Sequence, residues 1–230
     1  MDHVLDNPAW NALNSGNRNL ANDDSAVKYF DQEVSPFVGL REYTHKNLEQ
    51  LYHQLPDDSS RILLAPHEMS FPKHWKVLGR LKGFQMVYER HSDNKVDVAG
   101  TVALTHEHIP QMLALTQLTN PGPFASRTIE FGHYQGIFSG NELVAMAGQR
   151  MHAGVYTEVS AVCTHPHHLG NGYARRLLQY QIQRMLAAGN IPYLHVRYDN
   201  ARAIKVYEEM GFAVRIPVNF HFIQKGDLSV

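Results

Sequence analysis

The stretch Pro166-His167-His168-Leu169-Gly170-Asn171-Gly172-Tyr173-Ala174 places two glycines and a small residue at alternating positions, directly before an apolar run of helical period. Glycine lets the main chain come close to a ligand. The first amides of a helix have no partner within it and carry the positive end of its dipole, so such a loop can hold a phosphate. Three phosphate loops use glycines in this way. The nucleoside-triphosphate loop needs Gly-Lys-Ser/Thr, which does not follow here, and the dinucleotide fingerprint needs a third glycine where Arg175 stands. A Gly-x-Gly-x-Ala turn remains, and by itself it also reads as plain entry into a helix.

Further residues could do chemistry, each beside a plainer reading. Tyr207 shares a helical face with Ala203 and Met210, which makes it a core aromatic or a phenol donor. Asn200 opens that helix and is placed to cap it. Glu158 stands on a strand, where an acid is most often solvated, yet a carboxylate near an ammonium substrate can remove its proton. His195, on a neighbouring strand, is the other candidate base, its alternative being a buried hydrogen-bonded histidine. The single cysteine, Cys163, excludes an internal disulfide and reads as a small buried apolar residue. Histidines number 15, grouped at His106/His108 and His165/His167/His168, but neither group has the helical i, i+4 pairing with a carboxylate that a catalytic zinc site uses, so no metal is expected.

The elements that must position these residues follow from periodicity. Before residue 98 the pattern predicts a helix starting at Asn7-Pro8, a polar stretch over 14–24, a helix over 46–54 and strands over 61–65 and 75–88. The polar run 91–97 reads as a boundary. From there the chain predicts a short strand over 101–104, a helix entered at Thr105 and stopped by Asn120-Pro121-Gly122-Pro123, and a hairpin of strands 134–138 and 142–151. A strand follows over 156–164, with Val159, Ala161 and Cys163 on one face and Glu158, Ser160, Val162 and Thr164 on the other. Helix 172–188, strand 191–197, helix 200–210 and a strand-rich end over 212–224 complete the order. A helix between two strands makes a crossover, so strands 156–164 and 191–197 should be parallel neighbours.

Composition narrows the partners. The chain of 230 residues has 43% apolar and 19% charged residues and a formal net charge of −1, the balance of a globular protein with no basic field for nucleic acid or anionic lipid. No apolar run approaches the roughly 20 residues that cross a bilayer, and the first residues lack a signal pattern. The expected setting is the cytosol, without membrane or nucleic-acid partners.

On the loop Leu169-Gly170-Asn171-Gly172-Tyr173-Ala174 and, at the right distance, Tyr193-Leu194-His195-Val196 with Asn200, Ala203, Tyr207 and Gly211-Phe212, the chain resembles the GNAT superfamily of acyl-CoA N-acyltransferases. The resemblance covers about residues 98–230. It implies an α/β fold, a mixed and splayed central sheet flanked by helices, with residues 1–97 as a degenerate half of related fold or a cap that shapes the acceptor site. Leu169 stands where the family pattern has Arg or Gln.

What the resemblance implies for function is transfer of an acetyl group from acetyl-CoA to a primary amine on a small molecule or peptide, with no metal. Leu169, Gly170, Asn171, Gly172, Tyr173, Ala174 and Arg175 would hold the pyrophosphate. Val162, Cys163 and Thr164 would pair with the pantetheine arm and the backbone N–H near Val162 would steady the oxyanion, while Asn200 would contact the arm or an ordered water. Tyr207 would protonate the thiolate, and Glu158, six residues before Thr164, or His195 would be the base. A non-catalytic acyl-CoA sensor, transfer of a longer acyl group, and the oligomeric state, a homodimer included, stay open.

Overall fold

The computed structural model describes residues 3–22, 25–89 and 100–226; the predicted boundary at 91–97 lies outside them. In chain order the elements are α1 (Pro8–Leu13), β1 (Val27–Tyr29), β2 (Phe37–Leu40), α2 (His45–Gln54), β3 (Ser60–Ala65), β4 (Trp75–Tyr88), β5 (Val102–Ala103) and α3 (Ile109–Thr119). They continue as β6 (Gln135–Ser139), β7 (Glu142–Ala153), β8 (Tyr156–Thr164), α4 (Tyr173–Ala187), β9 (Ile191–Arg197), α5 (Ala201–Glu209) and β10 (Phe212–Lys225). Local chemistry sets the ends. Pro8 preorganises the first turn of α1, the Thr44 hydroxyl caps α2 by accepting from the Asn47 amide, and Asn120 closes α3 in the left-handed conformation at φ 47°.

All the described strands join one mixed sheet in the order β1-β2-β3-β10-β4-β9-β8-β7-β6-β5. The pairs β2/β3 and β8/β9 are parallel and the others antiparallel, so the expected α/β architecture and the crossover through α4 are both present. The C-terminal strand β10 lies between β3 and β4, and β4 in turn pairs with β9. A division at residue 97/98 is therefore not a division of the sheet. Strands β1 and β2 carry no sequence expectation: they are three and four residues long, and β1 buries Lys28 with its ammonium 5.8 Å from the Trp10 ring centroid, which hides the alternation.

Helices cover both faces. On one, Leu177, Leu178, Ile182 and Met185 of α4 pack on β7, β8 and β9, and on the other α3 puts Met112 and Leu115 against Met146, Ala161 and Cys163. The predicted face shared by Val159, Ala161 and Cys163 is corrected here. Val159 packs with α4, whereas Ala161 and Cys163 pack with α3. Ala161 has φ 53°, and Ser160 and Cys163 lie opposite Gly148 and Met146, so β8 carries one residue more than β7 over this step. That bulge shifts the alternation by one, and Cys163 comes to the side of the sheet that holds Glu158.

Candidate active site

The bulge also explains where the sheet opens. Parallel pairing of β8 with β9 covers only Tyr156, Thr157 and Glu158 against Ile191, Pro192 and Tyr193. Beyond it β8 stays with β7 as far as Thr164, while β9 stays with β4 as far as Arg197. The strands part, and Val162, Cys163 and Thr164 on one side and His195, Val196 and Arg197 on the other line a cavity of about 1110 Å³. The Thr164 hydroxyl in its wall is buried without a hydrogen-bond partner among the described residues.

At one end of the cavity lies the glycine loop. Gly170 and Gly172 have φ 85° and 73°, and beyond their chain neighbours no atom comes within 4 Å of where a side chain would start at either, so a ligand can approach the main chain closely there. Leu169, Gly170, Gly172, Tyr173, Ala174 and Arg175 line the cavity, and Arg175 pairs with Glu209. Asn171 does not line it; its side chain donates to the His168 carbonyl at 3.1 Å. Leu169 is 50% exposed and offers no charge where the pattern has Arg or Gln. Donors that the sequence reading missed are His168 and Arg202, which also face the cavity.

From the far wall comes α5. The Asn200 Oδ1 accepts from the Ala203 amide at 3.1 Å, so the capping reading holds, and the same residue lines the cavity. Tyr207, about two turns further, also lines it, with its ring 6.1 Å from Phe212; its hydroxyl has no hydrogen-bond partner among the described residues. Burial pushes the phenol up to about 12, so it stays protonated at neutral pH. Burial likewise pushes the Cys163 thiol up to about 11.

Glu158 is not the solvated acid of the plainer reading. It is 0% exposed, does not line the cavity, and accepts from four donors. These are the Arg150 Nε at 2.8 Å and Nη2 at 2.6 Å, the His195 Nδ1 at 2.7 Å and, at 3.5 Å, the Met151 amide. Burial alone would raise its carboxyl, but the charge and hydrogen bonds of Arg150, then the hydrogen bond from His195, pull it down to about 2. His195, its side chain only 2% exposed, meets Gln85 Nε2 at 3.1 Å through its own Nε2. The Gln85 Oε1 accepts from Arg215 and its Nε2 donates to the Leu5 carbonyl, which fixes the amide as a donor toward His195. The imidazole therefore has its proton on Nδ1, toward Glu158, and accepts at Nε2. Arg215 pairs in turn with Asp6, so a hydrogen-bonded chain runs from the N-terminal turn to Glu158.

A chain from Novosphingobium aromaticivorans DSM 12444, of the GNAT family, superposes with a TM-score of 0.91 at 33% identity, covering 98% of this chain and 100% of that one. The chain belongs to the GNAT superfamily. Three further comparisons agree. The family model for FR47-like proteins matches residues 134–220 of this GNAT chain. The N-alpha-acetyltransferase RimI of Mycobacterium tuberculosis (strain ATCC 25618 / H37Rv) is 38% identical over 84 residues, which is 35% of this chain and 51% of RimI, so the match spans about half of that relative. A GCN5-related N-acetyltransferase from Kribbella flavida shares the fold, with a TM-score of 0.60 at 14% identity over 95% of this chain and 96% of that one.

The remaining lining of this GNAT chain was beyond motif reading. Phe37, Ile62 and Leu81 come from β2, β3 and β4, and Phe220 and Phe222 from β10, and Arg150 reaches in from β7. No local spacing relates strands so distant in the chain; only the order of the sheet brings them together. Among the described residues no group of three or more His, Cys, Asp or Glu could hold a metal ion, and no helix is long and apolar enough to cross a membrane.

Proposed function

We propose that the protein moves an acetyl group from acetyl-CoA to a primary amine by direct transfer through a tetrahedral intermediate, in the cytosol. The observation that carries this reading is that Tyr207, its hydroxyl without a partner among the described residues, lines a cavity that runs from the glycine loop to the gap between β8 and β9. Acetyl-CoA suits that lining. Amides at Gly170 and Gly172 would take the pyrophosphate, with Leu169, Asn171, Tyr173, Ala174 and Arg175 shaping the loop. The edge of β8 at Val162, Cys163 and Thr164 would pair with the pantetheine amides as an added strand would, and the orphaned Thr164 hydroxyl and Asn200 supply further polar contacts.

Tyr207 then gives its proton to the departing thiolate, and the Val162 amide holds the oxyanion. For the amine's proton, His195 is the acceptor and Glu158 the positioning residue. Glu158 is ionised, filled by four donors and away from the cavity, whereas His195 faces it. On taking the proton at Nε2, His195 becomes a donor toward the Gln85 amide, which must give way, while Glu158 stabilises the imidazolium. The buried Cys163 thiol is held protonated, which favours direct attack over an acyl-cysteine. Residues 1–97 serve as the acceptor-side cap, through Phe37, Ile62 and Leu81.

Thiol release from acetyl-CoA over a panel of amines tests this. Tyr207→Phe should lower kcat by about 10²- to 10⁴-fold, with CoA affinity by calorimetry unchanged. Intact CoA binding with no release by any amine would leave a sensor module, a rival that the uncharged Leu169 favours.

A further inference from the structure

The acceptor half of the cavity carries information on its substrate beyond the transfer itself. It has an apolar wall of Phe37, Ile62, Leu81, Phe220 and Phe222, and among the described residues none that lines the cavity is an aspartate or glutamate. Its fixed charges are arginines. An acceptor with a second ammonium, such as a polyamine or a lysine side chain, would find no carboxylate in that lining and would stand beside guanidinium groups instead.

Two polar groups interrupt the apolar wall, and one carboxylate ties them together. The Glu158 Oε1 accepts from Arg150 Nη2 at 2.6 Å and from His195 Nδ1 at 2.7 Å, so guanidinium and imidazole are held a few ångströms apart. Arg150 uses its Nε and Nη2 edge on Glu158 and lies with its Cζ 4.5 Å from the Phe37 ring centroid. Its Nη1 has no partner among the described residues, and the side chain, itself 10% exposed, faces the cavity. The His195 ring sits 5.8 Å from Phe220 on the other side. A free guanidinium N–H suits a carbonyl or carboxylate oxygen.

From this juxtaposition we infer that the acceptor is an α-amino acid unit with a large apolar side chain, free or as the first residue of a peptide: its carbonyl or carboxylate on Arg150 Nη1, its amine toward His195, its side chain against Phe37, Phe220 and Phe222. The amine nitrogen and the carbonyl carbon of such a unit are bonded to one α-carbon, which matches two protein groups joined through one oxygen. The inference rests on the proposed transfer, and binding measurements separate the two.

The test pairs thiol-release kinetics with acceptor binding to the protein saturated with CoA, using phenylalanine, phenylalanine amide, a Phe-Gly-Gly peptide, phenethylamine, aspartate and spermidine. At least one phenylalanine-bearing acceptor should exceed phenethylamine and spermidine in kcat/KM by about 100-fold, as expected where a buried donor is left unsatisfied. Preference for the free acid over amide and peptide marks a metabolite-like acceptor, and the reverse marks a peptide N-terminus; both support the inference. Phe222→Ala should raise KM for the phenylalanine acceptor about tenfold and leave KM for acetyl-CoA unchanged. Phenethylamine or spermidine matching phenylalanine overturns the inference while the transfer stands. Phenylalanine-selective binding without thiol release overturns the transfer while the site stands. Neither turnover nor selective binding overturns both.

Discussion

At the residue scale, the group that most shapes the site is one that never touches the ligand space. Glu158 is wholly buried and holds Arg150 and His195 in fixed relation. Its carboxyl lies at about 2, below the ordinary 4.5, so its contribution to stability is complete above about 4.5 and lost as pH falls toward 2. Denaturant unfolding between pH 6 and 2.5 should therefore show stability falling through that window. Glu158→Gln should lose this part of the pH dependence and be less stable at pH 7 by about 3–5 kcal/mol, because Arg150 is left as a buried charge without its partner. An unchanged pH profile in the variant would show that the pair does not carry it.

At the element scale, the loop before α4 is where the proposed pyrophosphate contacts lie, and Leu169 is the weak point of that proposal. It is half-exposed, lines the cavity and lacks charge. Leu169→Arg should lower KM for acetyl-CoA several-fold, an effect that salt diminishes, with kcat unchanged; a KM that does not move would place the phosphates elsewhere. This loop and the elements around it were legible in the sequence: the strand expected over 156–164 and that over 191–197 match β8 and β9, and α4 and α5 fall within one residue of expectation at each end. Long runs of consistent period made that possible. The bulge at Ala161 was not legible, because an inserted residue leaves the apolar alternation of Val159, Ala161 and Cys163 intact on paper while reversing the face of the last two. For the same kind of reason the burial of Glu158 was not legible: nothing local announces that Arg150, eight residues earlier, folds back on it.

At the scale of the whole molecule, the apolar wall proposed to receive the acceptor is built by topology alone. Phe37, Ile62 and Leu81 become neighbours of His195 because β10 threads between β3 and β4 and β4 pairs with β9. The chain of contacts from Asp6 through Arg215 and Gln85 to His195 crosses the same seam. Residues 1–97 and 98–230 should then unfold together. Both tryptophans, Trp10 and Trp75, lie in the first part, so their fluorescence and loss of CoA binding should give one denaturation midpoint. Separate midpoints would mean that the first part folds on its own.

The central claim places the thioester in the gap between β8 and β9, beside Tyr207. A crystal structure with CoA bound tests it most directly. The account predicts the diphosphate on the amides of Gly170 and Gly172 and the sulfur within about 3.5 Å of the Tyr207 hydroxyl; a sulfur lying outside the gap, with Tyr207 facing only protein, would contradict it.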